Sequence, residues 1–207
     1  MKTLKITLQP GQRAFFTSDL HLNHANILKF ARTWIPTIEA HEAEIVQKWN
    51  AHISKNDIVF ILGDVFWKTP KDSIESFFAK LKFAKVYIIP GNHDSSDALR
   101  RMNNIPNVEV CTDITLLWLT TAENKTYRLY MCHYPLMTWP RRDHWEMDGI
   151  PTYNLFGHIH SGPNAGSYDS DLPLWKGDMM DVGMDSNQLY PYSFDDVLKK
   201  LDGEDPI

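Results

Sequence analysis

With 207 residues, an ordinary apolar share and a formal net charge of −5, the chain suits one soluble globular domain over residues 1–207 with a sizeable core. The acidic balance, with a sequence pI near 6.0, argues against a bulk electrostatic grip on long duplex nucleic acid and leaves small phosphorylated partners open. The longest apolar runs, such as residues 58–62, are too short to cross a bilayer, and Cys111 and Cys132 make neither a disulfide framework nor a zinc-ribbon spacing, so no membrane is expected and a reducing cytoplasm is.

The first eight residues alternate polar and apolar side chains as a half-exposed strand does, without the apolar core of a secretory signal. Period and punctuation then predict strands at 4–8, 14–17, 58–62, 86–89, 108–111, 114–119, 127–132, 153–156 and 179–182, and helices at 25–32, 38–52, 71–83, 96–102 and 194–201. The first half alternates strand and helix, whereas the second is mostly strand. On the helix at 38–52, Ile38, Ile45, Val46 and Trp49 mark the apolar stripe, so His41 and His52 read as surface or helix-face residues rather than ligands. Two stretches, 134–151 and 161–177, resist assignment, and loops of that length in a compact domain tend to be functional.

Five segments carry metal-ligand side chains, and each follows an apolar β-type run: Asp19-Leu20-His21, Gly63-Asp64, Gly91-Asn92-His93-Asp94, His133, and Gly157-His158-Ile159-His160. Such side chains are costly to bury without partners. Singly, each has a plain reading, a turn with its carboxylate on backbone amides or a satisfied core histidine. Together they point to one crevice beyond the carboxyl ends of several strands, where loops of open α/β sheets converge.

Imidazole with carboxylate and no thiolate suits zinc, iron, manganese or nickel, whereas calcium would want more oxygen ligands. Seven or more donors exceed what one ion needs while keeping a place for water. Two ions sharing a bridging carboxylate fit better. If Asp19 and Asp64 are the only anionic ligands, two divalent ions keep the cluster positive, and it would attract phosphate despite the acidic chain. Such ions lower the pKa of bound water towards ~7, supplying a nucleophile at neutral pH.

In order and context these motifs resemble the complete signature of the calcineurin-like metallophosphoesterases, spanning Asp19 to His160. The resemblance implies a four-layer α-β-β-α sandwich with two mixed β-sheets inside and helices outside. It implies Asp19, His21 and His160 on a first divalent transition-metal ion, Asn92, His133 and His158 on a second, and Asp64 bridging them. His93 would contact the phosphate or protonate the leaving oxygen, with Asp94 orienting it.

Protein serine/threonine phosphatases of that superfamily carry an Arg shortly after the second motif and Glu after Asn-His. This chain has Gly63-Asp64-Val65-Phe66-Trp67-Lys68 and Asp94, which disfavours a phosphoprotein substrate. It looks more like the short bacterial and bacteriophage phosphoesterases, whose Ser-Asp-x-His-x-x-His-x-Asn opening is matched by Ser18 through Asn26. His24 is then an added imidazole, read either as a substrate contact or as a helix N-terminal residue.

The stretch after His133 holds Trp139, Arg141, Arg142, His144 and Trp145. Arginine forks suit phosphate and indoles stack on flat groups, so the segment is expected to cover the metals and read the substrate, the alternative being an exposed loop with two packed tryptophans. Trp67 and Trp175 could wall the crevice or simply pack, and Cys132 should be a buried inert thiol. The leading expectation is a dinuclear-metal phosphoesterase acting on a small, nucleotide-like phosphomonoester or phosphodiester by in-line attack of a bridging hydroxide. A nuclease acting on short nucleic-acid ends comes second, and a non-catalytic scaffold third, since such relatives usually lose ligands.

Overall fold

The computed structural model describes residues 1–68, 73–161 and 177–203. Strands β2 (Ala14–Thr17) and β3 (Ile58–Ile61) are buried at every position, as expected of parallel strands covered on both faces. β4 (Lys85–Ile88) and β5 (Val108–Val110) extend them in parallel, and β10 (Tyr192–Ser193) pairs antiparallel with β2, giving the order β10-β2-β3-β4-β5. The second sheet runs β1-β6-β7-β8-β9 through β1 (Lys2–Thr7), β6 (Ile114–Thr120), β7 (Thr126–Cys132), β8 (Thr152–Phe156) and β9 (Met179–Asp181), with β6 and β7 antiparallel and the other neighbours parallel. Both sheets are therefore mixed.

Strand alternation sorts the side chains into layers. In the first sheet Phe16, Phe60 and Tyr87 lie side by side in register, with stacked rings 5.0 and 5.3 Å apart. They enter the core between the sheets, which the second sheet fills with Leu117, Leu119, Leu129, Met131, Leu155 and Met180. The opposite face of the first sheet, with Phe15, Val59, Ile61, Val86 and Ile88, is covered by α2 (Ile38–His52), α3 (Ser73–Phe78) and α4 (Ser96–Asn103). The opposite face of the second sheet is covered by the segment after His133. There Trp139 packs with Leu116, Tyr130 and Phe156, Asn154 Oδ1 accepts from the Leu136 amide at 2.9 Å, and Arg128 donates to Asp148 at 2.6 Å.

The remaining helices are short. Thr37 caps α2 by accepting from the Ala40 amide, and Ser193 and Asp196 form a reciprocal capping box on α5 (Phe194–Leu201). α1 is only Ile27–Phe30, because turns from His21 to Ile27 occupy the start of the stretch expected to be helical. α3 ends at Phe78 and the chain continues in turns, while residues 71 and 72 of the predicted helix lie outside the described residues, as do Trp175 and most of the 161–177 stretch. Among the described residues no helix is long and apolar enough to cross a membrane.

The apolar stripe of α2 runs through His41, Ile45 and Trp49 at four-residue spacing. His41 is thus buried beneath the helix instead of facing solvent, whereas His52 is exposed. Trp49 is wholly buried and its indole N–H donates to the Lys82 carbonyl at 2.9 Å. Trp49→Ala should lower unfolding free energy by about 3–5 kcal/mol, read as a fall in urea midpoint at unchanged m-value.

Candidate metal centre

Five loops leave the carboxyl ends of β2, β3, β4, β7 and β8 and meet between the sheets. The first two stay zipped after their strands end, with the Asp19 amide donating to the Gly63 carbonyl at 3.0 Å and the His21 amide to the Asp64 carbonyl at 2.9 Å. In this stretch the backbone turns left-handed at Asp19, His21 and Asp64, with φ of 57°, 49° and 55°. His158 and His160 do the same at 71° and 48°. Each such turn costs an L-residue roughly 1–2 kcal/mol, a strain the surrounding hydrogen bonds must offset.

Two glycines make the approach possible. Gly63 has φ +89°, and a Cβ there would sit 2.7 Å from His133 Nδ1. A Cβ on Gly157 would fall 2.0 Å from Ser18 Oγ and 2.5 Å from Asp19 Oδ2.

Each aspartate commits one oxygen to an amide of another ligand-bearing loop and turns the other into the cluster. Asp19 Oδ2 accepts from the His158 amide at 2.9 Å, and Asp64 Oδ1 from the His93 amide at 2.9 Å. Asp19 Oδ1 is left fully buried with no hydrogen-bond partner, 3.7 Å from both His21 Nε2 and His160 Nε2. Asp64 Oδ2 lies 3.3 Å from His133 Nε2 and 3.7 Å from His21 Nε2.

The imidazoles follow the same logic from their far side. His133 Nδ1 faces the Leu62 carbonyl at 2.7 Å, His160 Nδ1 faces Asp185 at 2.6 Å, and His21 Nδ1 faces His24 Nδ1 at 3.1 Å. The carbonyl and the carboxylate accept only, so they hold the proton on Nδ1 of His133 and His160 and direct their Nε2 lone pairs inward. His21 and His160 then oppose Nε2 to Nε2 at 3.1 Å, two ring nitrogens beside an orphan carboxylate oxygen. That donor set fits a cation. Asp19, His21 and His160 form one group able to hold an ion, and Asp19, Asp64 and His133 a second. Asn92 Oδ1 borders the second, 3.0 Å from His133 Nε2, and the half-buried His158 ring lies 5.1 Å from the His133 ring.

Charge in the pocket shows the same need. Burial works against the ionised form of Asp19, but the neighbouring rings of His21, His160 and His133 outweigh it and hold the carboxyl well below its usual range. Burial likewise opposes His133, yet Asp64 and Asp19 push that ring up to about 9. Without an ion, a proton on His133 does the work of one.

Other candidates fall around this cluster. His93 lies 3.9 Å from Asp64 Oδ2, its ring packed edge-on against Trp67 at 4.6 Å, and His24 stacks on the same indole at 4.6 Å. Trp67 therefore walls the crevice and sets both rings. Asp94, expected to orient His93, has a carboxylate that accepts the amides of Gly91, Asp64 and Val65 at 3.0, 2.9 and 2.9 Å, bracing the β3 and β4 loops together beside that ring. In the segment after His133, Arg142 is committed to Asp178 at 2.7 Å and lies over Trp139, while Arg141 donates to Met147 Sδ at 3.3 Å. His144 and Trp145 are exposed. None of these contacts reaches the histidine cluster.

Sequence reasoning missed three buried groups. Asp181 accepts from Ser161 and Gly183, and burial beside Asp19 pushes it up to about 6. Asp185 lies behind His160, and Arg32 lies behind Asp185. Nothing local marks them, since Arg32 and Asp185 are 153 residues apart.

A family model of calcineurin-like phosphoesterases matches residues 13–176, and the chain belongs to that family. Members are metal-dependent phosphoesterases as a class, and the ligand-bearing loops described above lie within the matched stretch. The chain is 30% identical over 83 residues to an uncharacterized protein of Methanocaldococcus jannaschii, covering 40% of this chain and 47% of that one. It is 31% identical over 88 residues to the Gene 66 protein of Mycobacterium phage L5, covering 42% of each, so these matches span less than half the length of those relatives. A protein of unknown function from Aquifex aeolicus shares the fold, with a TM-score of 0.61 at 19% identity over 91% of this chain and 98% of that one.

Burial lowers His41 to about 3, aided by the adjacent Arg32 charge. The unfolded chain takes up this proton near pH 6.5 and the folded one only near 3, so the associated stability is present above pH 6.5 and lost as pH falls towards 3. His41→Gln keeps an acceptor for Arg32 without titrating. In chelator-treated protein its urea midpoint should fall less steeply between about pH 7 and pH 4 than that of the parent.

Proposed function

We propose that the chain is a divalent-metal-dependent phosphoesterase that hydrolyses a small, nucleotide-like phosphomonoester or phosphodiester. The observation that carries this reading is the convergence of inward-facing Nε2 atoms on the buried, unpartnered Oδ1 of Asp19. Asp19, His21 and His160 would hold one ion, Asn92, His133 and His158 the other, with Asp64 between them. Divalent ions bound there supply positive charge for the phosphate oxygens and a water acidified to a pKa of ~7.

The protein's own groups do the rest. The two aspartates are buried and anchored by amides, so they present fixed charge that needs no reorganisation as the ester reacts. His93 sits on the open side of Asp64, partly exposed, where its ring can hand a proton to the leaving oxygen. Trp67 holds that ring at its edge and dries one side of it. His24, in contact through Nδ1 with His21, would present Nε2–H to a phosphate oxygen, and burial with the neighbouring histidines lowers it to about 4, keeping it neutral at pH 7. Arg141, His144 and Trp145 would meet the remainder of the substrate, while Arg142, held by Asp178, braces their loop.

Hydrolysis of p-nitrophenyl phosphate, bis-p-nitrophenyl phosphate, a 2′,3′-cyclic nucleotide and labelled oligonucleotides with Mn²⁺, Ni²⁺ or Zn²⁺ tests the proposal, with activity lost in EDTA and regained on metal addition. Oligonucleotide cleavage alone would favour the end-processing nuclease, and no metal-dependent turnover would overturn the proposal. Asp64→Ala should lose bound metal together with turnover. His93→Ala should keep its metal and lose about 10²–10⁴-fold in kcat, most with alkyl leaving groups, and full activity on an alkyl ester would remove it as the acid.

A further inference from the structure

Arg32 follows the short helix α1 and is completely buried. All five of its N–H groups are used. Nε donates to Asp185 Oδ1 at 2.8 Å, and Nη2 to Asp185 Oδ2 at 3.1 Å and to the Asp19 carbonyl. Nη1 donates to the Leu20 carbonyl at 2.9 Å and to His41 Nε2 at 2.6 Å. Asp185, from the 3₁₀ turn Met184–Asn187, turns its Oδ2 to His160 Nδ1 at 2.6 Å.

We propose that Arg32 and Asp185 form a positioning device for the metal centre, in which one guanidinium fixes both the backbone of the Asp19–His21 turn and, through Asp185, the ring of His160. The inference rests on the reading that Asp19, His21 and His160 hold an ion.

A buried ion pair is a poor way to gain stability, because apolar side chains of similar volume commonly do as well or better. Here the pair does something an apolar side chain cannot. The two carbonyls it grips belong to a left-handed stretch, with φ of 57° at Asp19 and 49° at His21, which would relax if released. The carboxylate it orients faces a histidine that is also left-handed, at 48°. Two ligand segments 139 residues apart, at His21 and His160, are thereby referred to one rigid planar group and brought to 3.1 Å. The bond to Asp185 also keeps the His160 proton on Nδ1 and raises the basicity of Nε2. His41 closes the cage by accepting the fifth N–H.

The test uses Co²⁺ alone as the probe, titrated into chelator-treated protein against a competing dye, with the visible Co²⁺ spectrum and the thermal midpoint of the metal-free protein read alongside. The parent should bind two ions. Asp185→Asn should bind one of them about 10–100-fold more weakly, with an altered spectrum, and leave the other unchanged. Because that substitution strands the Arg32 charge and can cost folding, the double variant R32M/D185L removes both charges. Its thermal midpoint should rise above that of Asp185→Asn while the weak ion stays as weak, a separation that a purely structural role would not produce. Parent-like affinity for both ions in the double variant would overturn the positioning role. A parent that binds no Co²⁺ at all would overturn the metal reading itself, and is thereby distinguished from failure of this inference.

Discussion

The hydrogen bond from the His158 amide to Asp19 Oδ2 joins a loop of one sheet to a loop of the other, and the cluster depends on that closure. β2 brings Asp19 from the first sheet and β8 brings His158 from the second, and the inter-sheet core of Phe16, Phe60, Leu155 and Met180 sets how far apart they start. Closure requires Gly157, since any side chain there would occupy the space of Ser18 and Asp19. Once made, it consumes Oδ2 and leaves Oδ1 as a buried charge with nothing to bond. Burying a carboxylate oxygen without a hydrogen-bond partner is costly, and the proposed ion site rests on that feature.

Much of the fold was legible because its central strands are short uninterrupted apolar runs, such as Ile58–Ile61, bounded by Gly, Asp or Asn. The candidate ligands were legible for the same reason, each coming directly after such a run. His41 was misread because a polar residue was subtracted from the helical stripe it belongs to, at four residues before Ile45. Its burial becomes understandable only through Arg32, which it touches across a turn, and Arg32 only through Asp185 on the far side of the chain. β10, two residues long, has no period to detect. Asp94 shows a different limit. The resemblance gives it a role in orienting His93, but its bonds to the amides of Gly91, Asp64, Val65 and Phe66, most of them on the β3 loop, follow from the fold and are marked by no local pattern.

Net charge proved a poor guide to local charge. The chain carries −5 overall, but Asp19 and Asp64 concentrate negative potential in one buried space, while Arg32 sits behind it with its charge cancelled by Asp185. The effect is strong enough to hold a proton on His133 up to about pH 9. Divalent ions compete with that proton, so any ion binding at the cluster must release it, and affinity is coupled to pH through the ligands themselves. Long-range attraction from the surface is not required.

The left-handed backbone at Asp19, His21, Asp64, His158 and His160 has a consequence for heredity. Asp, Asn and His tolerate that conformation several-fold better than other side chains, and branched residues hardly at all. Neutral drift at these five codons is therefore confined to a narrow chemical alphabet by main-chain sterics alone, before any selection on what the side chains hold. A descendant without the proposed chemistry would still be steered towards small polar residues or glycine there, leaving an outline of these loops in its sequence.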